Sequence, residues 1–411
     1  MEKQKISPFT ALQYRDFRLL WIGLLISRVG SEMQVVAMNW HVYLLTGSAL
    51  SLGLIGLSRF LPVVLFSLPG GIAADRFDRK KIMLVSQVFM IISSLVLTID
   101  TFFGSITPLH IYLLIAASSI ASTFDTPARQ SVVPYLVPKK HFVNAVSLST
   151  IMWQTAVVLG PSLAGFIIAF YDVGAVYFIN TISFLGVIIA LVSMSKFTQE
   201  ISKVTTFSVS SIIEGLNFVR RTPILYSTML LDFFATFFSS ATVLLPIFAK
   251  DILAVGPQGL GLLYAAPSLG GILAGFILSS LGHIRNQGKV LIAAVGIYGL
   301  ATILFGVSRS FYLSLFFLFF TGAGDIISTI IRNTIRQLVT PNYLRGRMVS
   351  INMLFFMGGP QLGEVEAGVV AAAFGAPFSV VIGGIGALIA TTILSLAIPK
   401  LIKYRGDELA V

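Results

Sequence analysis

The sequence contains no cysteine and only four histidines in 411 residues. Without cysteine the chain has no disulfide, no thiolate metal ligand and no cysteine nucleophile. Four histidines leave little material for a histidine-based metal centre. Charged residues are also scarce: they make up 11% of the chain, against about 25% in an ordinary soluble protein. This composition excludes an ordinary water-soluble enzyme, and we expect no metal, no catalytic residues and no cofactor.

Long apolar stretches are what the sequence has in abundance. Hydrophobic residues make up 56% of the chain and the mean hydropathy is +0.90. About 20 consecutive apolar residues suffice to cross the hydrocarbon core of a bilayer as a helix. Twelve windows of this kind predict an all-α integral membrane protein: 19–44, 50–74, 82–103, 107–126, 143–169, 175–195, 224–250, 258–281, 289–307, 311–331, 347–372 and 376–398. They leave no room for a soluble catalytic domain.

The basic residues are distributed very unevenly among the predicted loops. Of the 28 Lys and Arg, 24 fall in loops on one side, two (Lys250 and Arg309) on the other, and two (Arg28 and Arg59) inside spans. Because cytoplasmic loops carry the excess of Lys and Arg, both termini are predicted to face the cytoplasm. The net charge of +11 is then a topology signal, with lipid head groups rather than nucleic acid as its anionic neighbours.

The two halves of the chain resemble each other. At a shift of 203 residues, Arg129 falls on Arg332 and Leu159-Gly160 falls on Leu362-Gly363. An ungapped match through two spans and a loop indicates an internal repeat, which many transporters contain.

The repeat predicts two pseudo-symmetric six-helix bundles, residues 1–195 and 223–411. Residues 196–222 form a cytoplasmic connector, with a surface helix near Ile212–Val219. Rocking one bundle against the other would open a site at mid-bilayer to alternate sides of the membrane.

A charged motif follows the second span. It reads Gly-Ile-Ala-Ala-Asp-Arg-Phe-Asp-Arg-Lys from Gly71 to Lys80 and resembles the signature of the major facilitator superfamily, Gly-x-x-x-Asp-Arg-x-Gly-Arg-Arg/Lys. The matching residues are Gly71, Asp75, Arg76, Arg79 and Lys80, whereas Asp78 replaces the usual glycine.

The resemblance implies that Asp75 acts as a cytoplasmic latch. Its partners would be Arg129 and the start of the eleventh helix near Arg345. We expect Asp125, four residues before Arg129 and near the same end of its span, to form a gate pair with that arginine. The alternative is a basic loop that only sets topology.

A second motif lies in the fifth span. Gly160, Pro161 and Gly165 resemble the antiporter motif Gly-Pro-x-x-Gly-Gly of exporters in this superfamily, from which Ala164 departs. A proline bends the helix and small residues allow close packing; a generic kinked helix is the alternative. Further short segments, such as Arg15-Asp16-Phe17-Arg18, resemble the branch of bacterial exporters that includes the enterobactin exporter and macrolide efflux proteins. That resemblance implies export of small molecules, usually by proton antiport.

Ionisable residues inside spans are costly and are functional candidates by default. Arg28 and Glu32, one turn apart on the first span, are expected to pair. In this superfamily the first, fourth, seventh and tenth helices line the cavity, which implies that Glu32, Asp232 and Asp325 face the substrate path. We predict that Glu32, modulated by Arg28, and Asp232 or Asp325 couple proton entry to substrate exit. The alternatives are a permanent Arg28–Glu32 pair and an Asp325 that only bridges helices.

Three further charged residues inside spans are weaker candidates. Arg59 lies midway along the second span, and Glu364 and Glu366 lie in the outer part of the eleventh. Because the two glutamates are two residues apart, they cannot share one face of a helix.

Together these features predict a proton-coupled exporter of a lipophilic or amphiphilic small molecule, either drug-like or a siderophore. Its other partners would be protons and membrane lipids, and each chain would act as a monomer. The alternatives are a transporter of lipid or lysolipid between leaflets, and a non-transporting sensor or scaffold. A membrane enzyme is disfavoured because the sequence has no His-Glu-x-x-His, Gly-x-Ser-x-Gly or Walker motif. Without a Walker motif, either an ion gradient or the substrate's own gradient must supply the energy.

Overall fold

The computed structural model of the protein describes residues 9–195, 209–281, 284–341 and 344–406. The secondary structure in these ranges is helical throughout. The first half contains α1 (Arg15–Thr46), α2 (Ala49–Arg76), α3 (Arg79–Phe102), α4 (Pro108–Leu136), α5 (Phe142–Phe170) and α6 (Val173–Ser193). The rest contains α7 (Val209–Arg221), α8 (Pro223–Phe238), α9 (Gly256–Ser280), α10 (Gln287–Val307), α11 (Phe311–Val339), α12 (Arg345–Phe374), α13 (Ala376–Ala397) and α14 (Pro399–Lys403).

Ten helical segments in the described ranges are long and apolar enough to cross a membrane. They correspond to ten of the predicted spans, and the seventh consists of α8 continued by short helical turns to Ile252. The predicted fourth and eleventh spans are occupied by α4 and α12, which carry ionisable groups such as Asp125 and Glu364. The predicted all-α membrane fold is thus confirmed.

The chain divides into two compact units. Unit 1 comprises Met1–Leu45 and Leu61–Thr205, and unit 2 comprises Thr46–Phe60 and Thr206–Val411. The first turns of α2 therefore group with the second unit, whereas the prediction divides the chain at the connector alone. The described part of that connector holds α7, which covers the predicted surface helix; residues 196–208 lie outside the described ranges.

Unit 1 has a core of buried apolar side chains from all six of its helices, including Phe17, Met83, Val132, Leu148 and Leu191. Within this unit α3 packs against both α4 and α6. Apolar residues on every side of a helix are expected where one face meets protein and the other meets lipid.

Unit 2 has its own core, in which Leu231, Leu291, Ile331 and Leu401 are fully buried or nearly so. Helix α11 packs against α9 and α10. Its approach to α9 is so close that a side chain at Gly322 would collide with the backbone of Pro267. Small residues allow membrane helices to approach in this way, and α11 is thereby fixed as a central helix of unit 2.

Candidate functional site

A cluster of four charged side chains lies inside unit 2. Asp232 of α8 forms ion pairs with two arginines of α11: its Oδ1 lies 2.9 Å from Nη2 of Arg332, and its Oδ2 accepts a hydrogen bond from Nη2 of Arg336 at 3.1 Å. The side chains of Asp232 and Arg332 are each only 2% exposed. A buried ion pair persists only if hydrogen bonds satisfy its remaining polar atoms.

The two arginines form several further hydrogen bonds, although Nε of Arg332 has no hydrogen-bond partner in the described structure. Arg332 donates from Nη1 to Oγ of Ser328 at 2.5 Å and from Nη2 to Oγ1 of Thr329 at 2.8 Å. Arg336 donates to the carbonyl oxygen of Thr228 at 2.8 Å and to its Oγ1 at 3.2 Å. The carboxylate of Asp232 is therefore held by two cations that are themselves fixed in place.

Asp325, the fourth member, is held far less tightly. It lies near the middle of α11, two turns before Arg332, and its Oδ1 is 3.8 Å from Nη2 of that arginine. Its side chain is 41% exposed, although its helix is central to the unit. Of the two candidate acids in this cluster, Asp232 has a fixed position, whereas the partly exposed carboxylate of Asp325 is free to change its contacts.

The sequence analysis missed the role of the two arginines. It placed Arg332 and Arg336 in a cytoplasmic loop, which is wrong, because α11 continues to Val339 and both side chains are buried. The same error places Arg129 in a loop, although α4 continues to Leu136. They could have been found from Asp232, because a carboxylate buried in a membrane span requires a cation nearby in the same unit.

The predicted pair of the first span is present in unit 1. Nη2 of Arg28 lies 2.6 Å from Oε1 of Glu32, and the guanidinium carbon lies 3.6 Å from the ring centroid of Trp153 on α5. The arginine is therefore fixed by a carboxylate and by a cation–π contact. Glu32, 16% exposed, remains less deeply buried than Asp232.

The antiporter-like motif is in direct contact with this pair. A methyl group at Gly160 would collide with Cβ of Glu32 and would lie 3.0 Å from the carbonyl oxygen of Val29. Gly160 and Pro161 are buried, as is Gly165 one turn further on. The motif thus sets how closely α5 approaches α1 at the position of Glu32.

We expect Gly160→Ala to impair transport more than it impairs folding. The added methyl group must push Glu32 or the α1 backbone aside, at a cost of about 1–3 kcal/mol for overpacking. The measurement is efflux rate at equal membrane levels, compared with Gly296→Ala, because a methyl group at Gly296 has open space around it. Equal rates for the two variants would show that the close approach at Gly160 has no part in transport.

The predicted gate pair is also present. Nε of Arg129 lies 3.2 Å from Oδ2 of Asp125, and Oδ1 of the same carboxylate accepts from Nε2 of Gln87 at 3.2 Å. Within the described ranges no ion pair joins Arg129 to Asp75, so this part of the predicted latch is not formed here.

Two basic residues of the charged motif instead bind backbone carbonyl oxygens near the C-terminal ends of helices. Arg79 donates from Nε to the carbonyl oxygen of Ala74 at 3.2 Å and from Nη1 to that of Ser131 at 3.2 Å. Lys80 donates to the carbonyl oxygen of Met194, the residue that ends α6, at 2.9 Å. Cations near helix C-termini satisfy carbonyl groups that have no partner within the helix. Arg79 and Lys80 therefore join helices of unit 1, while Arg76 is exposed and Gly71 has open space around it.

The weaker candidates lie together in unit 2. Arg59, on the first turns of α2, has its Nη1 3.8 Å from Oε1 of Glu364 on α12. A methyl group at Gly56 would lie 2.8 Å from Oε2 of Glu364, so the glutamate lies directly over α2. Glu366 is half-buried and has no ion pair among the described residues.

Two bodies of membrane-spanning helices with ionisable groups buried inside each define the protein as a membrane transporter of the major facilitator superfamily, not an enzyme. A family described as transmembrane secretion effector matches residues 6–405, and the chain belongs to that family.

Curated relatives are consistent with the predicted branch of the superfamily. The chain is 22% identical to macrolide efflux protein A of Streptococcus pyogenes over 294 residues, which cover 71% of this chain and 73% of the relative. It is 25% identical to the enterobactin exporter EntS of Shigella boydii over 394 residues, which cover 95% and 93%. The predicted resemblance is confirmed.

A solved structure shows the same fold. The crystal structure of a bacterial homolog of the human lysosomal transporter Spinster, in an inward-facing and occupied conformation, superposes with a TM-score of 0.74. The match covers 93% of this chain and 97% of that one at 15% identity.

Proposed function

We propose that the protein exports a lipophilic or amphiphilic small molecule, drug-like or a siderophore, in exchange for protons. The observation that carries this proposal is the full-length match to a secretion family whose curated relatives are named as efflux proteins and exporters. The buried carboxylates of both units support an ion-driven mechanism, because a scaffold has no use for charges that are costly to keep in a membrane.

The contacts in unit 2 favour Asp325 over Asp232 as the acid that carries the proton. Two buried guanidinium groups hold the carboxylate of Asp232 in a fixed position. Asp325 has one distant cation at 3.8 Å and an open side chain. When Asp325 is protonated, Arg332 loses its second carboxylate, so the charge balance of the whole cluster changes.

Glu32 is the corresponding candidate in unit 1. Its partner Arg28 already has a second contact with Trp153, so Glu32 can exchange the arginine for a proton without leaving that cation unsupported. Packing of Gly160 against Glu32 supports a link between this exchange and the position of α5.

The protein is proposed to lie in a bacterial cytoplasmic membrane with both termini on the cytoplasmic side. The support is the excess of Lys and Arg on one side of the predicted spans, which persists when Arg129 of α4 and Arg332 and Arg336 of α11 are left out. Each unit contains its own buried acidic residue, which supports the proposal that a single chain forms a complete transport pathway.

The proposal is tested by substrate accumulation in cells that express the protein. The panel consists of a lipophilic cation, a macrolide and a catecholate siderophore, each with and without a protonophore. We expect the cells to retain less of at least one compound than empty-vector cells, and the protonophore to remove the difference.

A matched experiment in everted vesicles tests the energy source separately from export itself. An imposed pH gradient, acidic inside, should accelerate uptake of that compound, and an ionophore that exchanges protons for potassium and so collapses the pH gradient should remove the acceleration. If no compound moves in either assay, small-molecule export is refuted, and lysolipid flipping in liposomes becomes the next measurement. If export proceeds unchanged with the protonophore, proton exchange is refuted.

A further inference from the structure

A groove lies at one end of unit 2, between the last turns of α9 and the last turns of α11. Its volume is about 310 Å³, and because a water-sized group takes up about 30 Å³, the groove has room for on the order of ten such groups. Most of its lining is apolar and is contributed by Gly275, Leu278, Ile284, Ile330, Ile331 and Leu338.

The groove follows one face of α11 and is open on the surface of the protein. Ile330 and Leu338 line it eight positions apart, so they share a face that extends about 12 Å along the helix. Their side chains are 37% and 55% exposed. On α9, the neighbouring Phe276 and Leu281 are exposed as well. Exposed apolar side chains around an apolar groove are typical of a surface in contact with lipid.

The segment after α13 closes one end of the groove. The backbone amide of Gly288, on the first turn of α10, donates to the carbonyl oxygen of Tyr404 at 3.0 Å. A methyl group at Gly288 would collide with the carbonyl oxygen of Leu401. Gln287 and Gly406 complete the lining at this end. The start of α10 and the segment around α14 are therefore fixed against each other beside the groove.

This closed end carries a concentration of positive charge. Residues 284–290 and 399–406 contain no Asp or Glu, and their five basic side chains are all exposed: Arg285, Lys289, Lys400, Lys403 and Arg405. None of the five forms an ion pair with a residue in the described ranges. Arg285 directly follows one lining residue and Arg405 directly precedes another. Basic pockets between membrane helices bind the head groups of anionic lipids.

The apolar groove and the unpaired cations together define the chemistry of the ligand. A small anion such as free phosphate would use the cations and leave the groove empty, whereas an uncharged lipid would use the groove and leave the cations unpaired. An anionic amphiphile uses both, because its hydrocarbon chain is driven out of polar surroundings while its head group attracts the basic side chains.

We propose that the groove binds one acyl chain of an anionic phospholipid, whose phosphate group is held by Arg285, Lys289 and Arg405. The bound chain fills the space between α9 and α11 along the turns of α11 that also carry Arg332 and Arg336. It thereby supports the position of α11 in unit 2. Binding does not depend on which compound is exported, so failure of the export assays would leave this site standing.

The test makes use of the absence of cysteine from the chain. Ser279→Cys places a single thiol at the exposed edge of the groove, where it is labelled with a fluorophore. The full-length protein is reconstituted into vesicles of equal parts phosphatidylglycerol and phosphatidylcholine, and a nitroxide on the acyl chain of one lipid or the other quenches the fluorophore. The ratio of the two quenching efficiencies measures the preference for the anionic lipid. Ile393→Cys, at an exposed position on α13, reports ordinary lipid contact.

We expect the fluorophore at Ser279→Cys to show a clear preference for phosphatidylglycerol. Arg285→Gln and Arg405→Gln should each lower that preference about fivefold, because each removes one cation from the head group. Arg309→Gln is the control for charge, since it removes an exposed arginine from the turn between α10 and α11. It should leave the preference unchanged.

A second pair of variants tests whether the acyl chain occupies the groove. A Cβ atom at Gly275 would make only ordinary contacts, 3.6 Å to Cγ2 of Ile326 and 3.9 Å to Cδ1 of Ile330. Gly275→Leu should therefore be accepted and fill the groove, and the preference should fall to that of Ile393→Cys. Gly296→Leu is the control, because a side chain at Gly296 has open space around it.

The proposal is overturned if the positions at Ser279 and Ile393 show equal preference, because the lipid contact is then unspecific. It is also overturned if Gly275→Leu keeps the full preference, because the head group is then bound without a chain in the groove. Removal of residues 407–411 tests the remaining occupant, the end of the chain itself. If phosphatidylglycerol is preferred only after that removal, the groove belongs to the chain's own tail and the proposal is wrong.

Discussion

Asp325→Asn is expected to abolish concentrative export while leaving substrate exchange intact. Asparagine has nearly the volume of aspartate but cannot take up or release a proton, so the step driven by the gradient is lost. The alternating movement itself needs no net ion transfer and continues. The measurement is paired: uphill efflux driven by a pH gradient, and exchange of labelled for unlabelled substrate in proteoliposomes without a gradient.

The expected loss of uphill efflux is complete, to the level of protein-free liposomes, with exchange retained. Asp251→Asn is the control, because it removes an exposed carboxylate from the last helical turn of the seventh span. Undiminished uphill efflux by Asp325→Asn would remove Asp325 from the coupling mechanism. Glu32→Gln, measured in the same pair of assays, would then decide whether unit 1 carries the proton instead.

Arg332→Met is expected to produce the largest loss of stability among single substitutions in unit 2. It leaves the carboxylate of Asp232, 2% exposed, with one of its two cations. Removing one partner of a buried ion pair costs about 3–5 kcal/mol. The measurement is the free energy of unfolding in mixed micelles as the fraction of SDS rises, with Arg309→Met, at an exposed arginine, as the control.

A triple variant distinguishes an uncompensated charge from lost packing. Asp232→Asn combined with Arg332→Gln and Arg336→Gln removes all three paired charges and retains hydrogen-bonding groups, so no buried arginine is left without its carboxylate. We expect it to recover more than half of the stability that Arg332→Met loses, because the cost comes mainly from an unpaired buried charge. If the triple variant is as unstable as the sum of its three single variants, measured in the same way, the three residues are not coupled.

The fold class and the family were readable from the sequence because both depend on local signals. Twelve apolar windows of membrane length are visible without knowing what any helix contacts, and ten of them are helices that meet the length and composition of a span. The motif from Gly71 to Lys80 is contiguous, and so is the pair Arg28–Glu32, whose spacing of one helical turn places both side chains on one face.

The ends of the helices were harder to predict from the sequence where charged residues extend a helix beyond its apolar stretch. Hydropathy ends the tenth span near residue 331, yet α11 continues to Val339. A polar helical turn and a polar loop look alike by composition. The two differ in whether their charged side chains form ion pairs within the fold. The carboxylate that pairs with Arg332 and Arg336 belongs to Asp232, about 100 residues earlier in the chain.

By itself, the sequence determined an all-helical membrane transporter of the major facilitator type and nearly every acid and base that its spans contain. Only the tertiary structure decided how these groups combine: Asp232 is fixed between two arginines, Asp325 has a half-exposed side chain and one distant cation, and Glu364 lies over Gly56 beside Arg59. The reason is physical. Hydrophobicity acts residue by residue along the chain, whereas the state of a buried charge depends on groups that only folding brings within a few ångströms.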